Sequence, residues 1–280
     1  MVKSDSLIQN LSNGIRSRIK KMADSATGKP TVSWITQKYL KHAPSNRLYN
    51  HSLLKHKTWF YHGPEYLHGV KEIFMEEVYK QSLPPDCQVI DCGAHIGLSL
   101  IYVKSICPSA KIIAFEPDQK NFKLLQKNIL SHHLTDIELR NEAVWIDDTE
   151  LQFMSEGSMS SKITSGDTGN KKVKATRLKN YLDGPIEFLK LDIEGAEYPV
   201  IQDIASQLQN VNNLFIEYHG KFEQNNELID ILDIVNKADF SFYIKEATSV
   251  YNHPFLQNKH ENPYDVQLNI FCFRQPATNI

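Results

Sequence analysis

Ile90-Asp91-Cys92-Gly93-Ala94-His95-Ile96-Gly97 reads as a strand end, a glycine turn and a helix start. The apolar run Gln88–Ile90 precedes it, and the amphipathic segment Ile96–Ile106 follows. A second strand-like run, Lys111–Phe115, closes on Glu116-Pro117. Together these features describe a nucleotide cradle. A glycine turn lets a ligand lie against the backbone, and an acid at the end of the next strand can grip two ribose hydroxyls. The glycines are spaced D-x-G-x-x-x-G rather than G-x-G-x-x-G. A dinucleotide needs the helix N-terminus open for its pyrophosphate. S-adenosylmethionine carries no phosphate, so a side chain such as His95 can stand there. The spacing therefore favours S-adenosylmethionine.

Outward from this stretch, strands and helices alternate. Gln88–Cys92, Lys111–Phe115, Asp136–Asn141, Ile186–Ile193, Asn213–Tyr218, Phe240–Lys245 and Asn269–Arg274 read as seven main strands. Ile96–Ile106, Gln119–Leu130, Ala196–Leu208 and Glu223–Lys237 read as helices. The pattern predicts an α/β fold with a mostly parallel seven-stranded sheet covered on both faces. The rhythm breaks after the third strand. Ala143–Met154 holds two short strand-like runs, Ser155–Asn170 is rich in Ser, Gly and Thr and reads as loop, and Lys172–Ala175 reads as a further short strand. Before the sheet, residues 5–22 repeat Leu7, Leu11, Ile15, Ile19 and Met22 at helical spacing, with basic residues on the other faces. This helix is expected to pack on the body of the protein or on another subunit. A membrane-surface role is the less favoured reading. Residues 23–57 read as a loosely structured arm, and the expected division is 1–67 for helix and arm and 68–280 for the ligand-binding domain.

The chain has 280 residues, 41% hydrophobic and 10% aromatic, with 31 basic and 33 acidic residues. A net charge of −2 gives no basic footprint for nucleic acid. Four cysteines show no C-x-x-C spacing and read as reduced thiols, which argues against a zinc site. No signal-peptide core and no apolar run near 18 residues is visible, so a cytoplasmic, soluble protein is expected.

Five strand ends carry residues fit for chemistry. At the first, Gly93 is expected to allow close approach of the ligand, Gly97 to seat the helix, and Asp91 to fix the loop or face a cation. At the second, Glu116 is expected on the ribose. At the third, Glu142 is placed to receive an adenine amine, with Ala143 and Trp145 against the ring; ordinary core and surface alternation explains these residues equally well. The fourth, Leu189-Lys190-Leu191-Asp192-Ile193-Glu194-Gly195-Ala196-Glu197, crowds three carboxylates around a glycine, which is costly without a cation nearby. Helix capping accounts best for Glu197 and worst for Asp192 and Glu194. At the fifth, Glu217 and His219 lie two apart and point the same way in an extended strand. His219 is placed to deprotonate an acceptor hydroxyl.

In this order, the five elements resemble the FkbM family of S-adenosylmethionine-dependent methyltransferases. The resemblance covers about residues 68–274. It rests on Val89–Gly97, Phe115-Glu116-Pro117 and Leu189–Glu197. It implies a class I Rossmann-like methyltransferase fold and O-methylation of alcohol hydroxyls, on sugars of surface polysaccharides or on secondary metabolites. Lys179 stands where the family usually carries an acid, and His95 where it often has Asn.

The expected cofactor set is Asp91, Gly93, Ala94, His95, Gly97, Glu116, Pro117, Glu142, Ala143 and Asp192. The expected catalytic set is His219 as base, Asp192 second to it, with Glu194 and Glu217 orienting. A version with a divalent metal on Asp192, Glu194, Glu217 and His219 stays open. So do a non-catalytic nucleoside-binding subunit and a homo-oligomer.

Overall fold

The computed structural model describes residues 30–154, 162–163, 171–256 and 262–274. The helix expected over residues 5–22 lies outside them, as does most of the Ser155–Asn170 loop. The chain divides into two compact units, Met1–Gln81 and Ser82–Ile280. The boundary expected at 67/68 falls inside a helix.

Residues 30–57 are more ordered than the loose arm expected there. Helix α1 (Trp34–Lys41) starts at Ser33, whose hydroxyl accepts from Thr36 N–H. Strands β1 (Tyr49–Leu53) and β2 (His56–Phe60) form an antiparallel hairpin. Its two-residue turn, Leu54-Lys55, has φ of 50° and 70°. That geometry normally selects Asn-Gly, so the usual hairpin signal is missing from the sequence. Helix α2 (Gly63–Gly69) continues as a π-helical segment, Val70–Met75, and stacks Tyr66 on Phe60 at 3.9 Å.

The second unit holds β3 (Gln88–Cys92), α3 (Leu98–Ile106), β4 (Lys111–Phe115), α4 (Gln119–Ser131) and β5 (Ile137–Arg140). Four short strands follow: β6 (Ala143–Trp145), β7 (Thr149–Met154), β8 (Lys162–Ile163) and β9 (Lys171–Arg177). Then come β10 (Ile186–Leu191), α5 (Glu197–Ile204), β11 (Val211–Gly220), α6 (Asn225–Lys237), β12 (Ser241–Glu246) and β13 (Val266–Phe273). The main sheet runs β12-β13-β11-β10-β3-β4-β5. Every pairing from β5 to β11 is parallel, and β13 enters antiparallel between β11 and β12. This is the mostly parallel seven-stranded sheet expected from the alternation, in the class I Rossmann-like form that the family resemblance implies. The short strands form a second sheet, β6-β9-β7-β8.

From β3 the chain steps outward through β4 to β5, then returns to β10 on β3's other side. Right-handed crossovers in opposite directions place helices on opposite faces. The strands between them are therefore largely apolar, and Ile90, Leu189, Leu191 and Ile216 are fully buried. The reversal also opens a crevice at the carboxyl ends of β3 and β10, where ligands of such sheets bind.

At that crevice two backbones nearly touch. Gly93 has φ +91°, and a Cβ on it would lie 1.8 Å from the Asp192 carbonyl oxygen. The glycine expected to admit a ligand is thus already demanded by the neighbouring loop. Gly97, φ +90°, would set a Cβ 2.7 Å from Leu125 of α4, so it seats α3 against α4. Gly93→Ala should cost at least about 1–3 kcal/mol from backbone strain, before any clash. Gly184→Ala is the control: its Cβ would meet nothing within 4 Å, and the change should stay within about 0.5 kcal/mol. Urea melts of the two variants measure the difference, and equal midpoints would refute this account of Gly93.

Candidate active site

The loop after β3 is built from the strand beside it. Gly93 and Ala94 both donate backbone N–H to the Phe115 carbonyl, at 3.0 and 2.9 Å. Asn128, fully buried on α4, donates to the Ile96 carbonyl at 2.8 Å. His95 adopts φ +48° and donates its backbone N–H to Glu116 Oε2 at 2.8 Å. The other oxygen, Oε1, accepts from Asp118 N–H at 2.9 Å. Glu116 is 5% exposed, and burial pushes its carboxyl up to about 8, against the pull of those two N–H groups. Each oxygen has one backbone donor and keeps acceptor capacity for another.

The loop after β5 is tied to the same place. Asn141 Nδ2 donates to the carbonyls of Glu116 and Pro117, at 2.8 and 3.2 Å. Glu142 instead pairs with Arg140 Nη1 at 3.2 Å, so the adenine contact expected of it competes with an ion pair. Ala143 is buried in β6, opposite Ala175 of β9.

Asp91, expected to fix the loop or face a cation, points into the protein. Ser99 Oγ donates to its Oδ2, and Oδ1 lies 3.3 Å from Lys190 Nζ without accepting a hydrogen bond. Lys190, 3% exposed, also donates to the Gly93 carbonyl at 2.9 Å and to Asp192 Oδ2 at 3.0 Å. This buried ammonium is the cation beside Asp192, and it joins the first loop to the fourth.

The remaining acids gather around His219. Its Nδ1 lies 3.2 Å from Glu197 Oε1, and its Nε2 faces Glu194 Oε2 and Glu217 Oε1 at 3.6 Å each. Burial opposes a charged imidazole, but the hydrogen bond and charge of Glu197, then Glu194 and Glu217, outweigh it and lift His219 to about 10. Burial, with Asp192 and Glu197 adding, raises Glu194 to about 8, although His219 pulls the other way. Three carboxylates around the imidazole thus favour its charged form, which opposes the neutral base expected of it. Glu194 has φ +56°, and Tyr264 holds that strained loop by donating its hydroxyl to the Glu194 carbonyl at 2.7 Å. The Tyr264 ring lies 4.8 Å from the His219 ring.

Asp192, Glu194 and His219 each bring an atom to within 4.8 Å of the others, close enough to share a cation. Glu217 falls outside that set. Glu197, read from the sequence as a helix cap, is 1% exposed and faces the cluster. Its role was hidden because a cap and a buried histidine partner carry the same residue at the same helix position. Beyond the cluster, Asp265 accepts from Phe222 N–H and the Tyr251 hydroxyl, at 3.1 and 2.6 Å, and the two rings stack at 5.5 Å.

Residues 91–242, more than half the chain, match the model of the methyltransferase FkbM domain. The chain is 25% identical over 182 residues to Methyltransferase 1 of Beauveria bassiana, covering 55% of this chain and 72% of that protein. It is 44% identical over 62 residues to the AMB antimetabolite synthetase AmbE of Pseudomonas aeruginosa, 21% of this chain but 3% of that protein. Among solved structures, the methyltransferase FkbM of Methylobacillus flagellatus KT is similar at 17% identity and a TM-score of 0.47. That likeness covers 67% of this chain and 44% of the other. Among the described residues, no helix is long and apolar enough to cross a membrane.

Glu116, Glu194 and His219 all hold protons more tightly in the folded protein than their ordinary values allow. The folded state thus binds more protons than the unfolded chain, and stability should fall as pH rises. The carboxyl contributions are lost between 4.5 and about 8. That of His219, whole below 6.5, is lost as pH rises through about 10. Thermal melts across this range should show the decline, with a shallower slope above 6.5 in His219→Gln. An identical slope in that variant would show the imidazole is not held charged.

Proposed function

This chain belongs to the FkbM family of S-adenosylmethionine-dependent methyltransferases, and on that premise we propose that it methylates an alcohol hydroxyl on a sugar of a surface glycan. The observation that carries an oxygen acceptor is the proton-accepting cluster at the ends of β10 and β11. A hydroxyl must shed a proton as it attacks, and Glu194, lifted to about 8, is matched to take one near neutral pH. A secondary-metabolite acceptor is the second reading, favoured by the short match to an antimetabolite synthetase.

S-adenosylmethionine supplies an electrophilic methyl group carried on a sulfonium. The residues present suit it. Glu116 would hold the ribose hydroxyls through its remaining acceptor capacity, with Pro117 beside it. The Gly93-Ala94-His95 backbone and Gly97 would line the cofactor's floor, and Asp192 would face its cationic end. Asp91 supports that loop from beneath through Ser99 and Lys190. Glu142 and Ala143 would border the adenine.

On the acceptor side, Glu194 takes the hydroxyl proton and is the catalytic base. His219 gives up the base role assigned from the sequence. As an imidazolium it offsets the charge of Glu194 and Glu217 and holds Glu194 in place. The pair Phe222–Tyr251 would offer a flat face to the acceptor ring. Most of the rate gain comes from positioning, which is worth about 7–11 kcal/mol in well-oriented reactions. The reading uses no metal, since the imidazolium is the cation that the acids share.

S-adenosylhomocysteine should raise the melting temperature, and Glu116→Ala should lose most of that rise. Calorimetry that finds no binding to the wild type at millimolar ligand overturns the cofactor assignment. Labelled methyl transfer into a glycan extract should survive dialysis against a chelator. Loss of activity restored by magnesium or manganese would instead make the cluster a metal centre.

The rate of that transfer should climb with pH through about 8. Glu194→Gln should abolish the inflection and lower turnover by about 10²–10⁴-fold, leaving S-adenosylhomocysteine affinity intact. Near-normal turnover in this variant would remove Glu194 as the base.

A further inference from the structure

We infer that Glu197 is the positioning residue of the acceptor end: one buried carboxylate ties the Asp192–Gly195 loop to the His219 ring and so fixes where Glu194 stands. Glu197 is the first residue of α5. An acid there ordinarily faces water and offsets the helix dipole. This one is 1% exposed and turns back, away from its own helix. Its Oε1 accepts from Ile193 N–H at 3.2 Å, and both oxygens accept from Gly195 N–H, at 3.1 and 3.0 Å. Oε1 also meets His219 Nδ1 at 3.2 Å. The two anchored N–H groups flank Glu194, whose side chain faces the opposite edge of the same ring, at 3.6 Å from Nε2. One carboxylate therefore sets both the ring's orientation and the backbone from which Glu194 projects.

The geometry distinguishes this role from simple capping. Capping requires only acceptors for the N–H groups. A bond to the edge of a buried ring on β11 adds nothing to a cap, but it selects the ring nitrogen left facing Glu194. The glutamine isostere separates the two. An amide keeps one oxygen for the loop N–H groups, but it carries no charge to hold the ring and puts a donor where the second oxygen accepts from Gly195 N–H.

What the positioned groups accomplish rests on the methyl-transfer reading above, but the positioning itself is measurable without an acceptor. In the wild-type full-length protein, the His219 Nδ1–H should give a downfield, slowly exchanging proton resonance, assigned by its absence in His219→Gln. In Glu197→Gln it should move upfield, with circular dichroism and S-adenosylhomocysteine affinity unchanged. Labelled methyl transfer into the glycan extract should drop by about 10²-fold, in turnover rather than in cofactor affinity. Glu197→Asp keeps the charge but shortens the reach, so it should keep the loop bonds and lose the ring bond. It serves where the amide variant folds poorly. An unchanged His219 resonance in both variants overturns the inference. Failure of the wild type to bind S-adenosylhomocysteine, with the resonance shift still present, overturns the methyl-transfer reading and leaves the positioning role standing.

Discussion

A single ammonium sits where the sheet reverses direction. Lys190, on β10, is buried between the ends of the two strands that flank the crevice. It reaches Asp91 on β3, Asp192 after β10, and the Gly93 carbonyl between them. A charge so deep is tolerated only when its partners are fixed and well placed. The converse also holds: Asp91 and Asp192 can approach each other only because Lys190 stands between them. The contact between the Gly93 loop and the Asp192 carbonyl, too close for any Cβ, is the steric counterpart of this ionic joint. The loop after β3 and the loop after β10 are thereby locked into one unit.

Two groups of acids result, and they serve different purposes. Asp91 and Asp192 share Lys190. Glu194, Glu197 and Glu217 share His219. Lys190 is hydrogen-bonded to Asp192 and to the Gly93 carbonyl, so the first group is a fixed support. The Glu194 carboxyl, displaced to about 8, can exchange a proton near neutral pH, while His219, lifted to about 10, keeps its charge beside it. The strain at Glu194, held by Tyr264 from the far end of the chain, is of the kind that functional loops retain.

The strand ends bearing these residues were legible because buried parallel strands are continuous apolar runs, and an acid or glycine after such a run stands out. Glu116, Asp192, Glu194 and His219 stand out that way as candidates. Glu197 and Lys190 were harder to place. Lys190 alternates inside an apolar strand, where nothing local says which acids it will meet. Glu197 sits at a helix start, where local rules already account for an acid. The hairpin at Leu54-Lys55 escaped for a related reason: its left-handed turn is imposed on residues that do not ask for one.

By itself, the sequence determined the order of strands and helices, the family and the set of polar residues at the crevice. These depend on periodicity and on short motifs, which are local. Protonation and partnership were decided only by the tertiary structure. Whether His219 is a neutral base or a charged support depends on three carboxylates brought from α5, the loop before it and β11. Whether Gly93 yields to a ligand or to Asp192 depends on how closely two distant loops approach. Burial and electrostatics are properties of the assembled surroundings, and no stretch of chain read alone contains them.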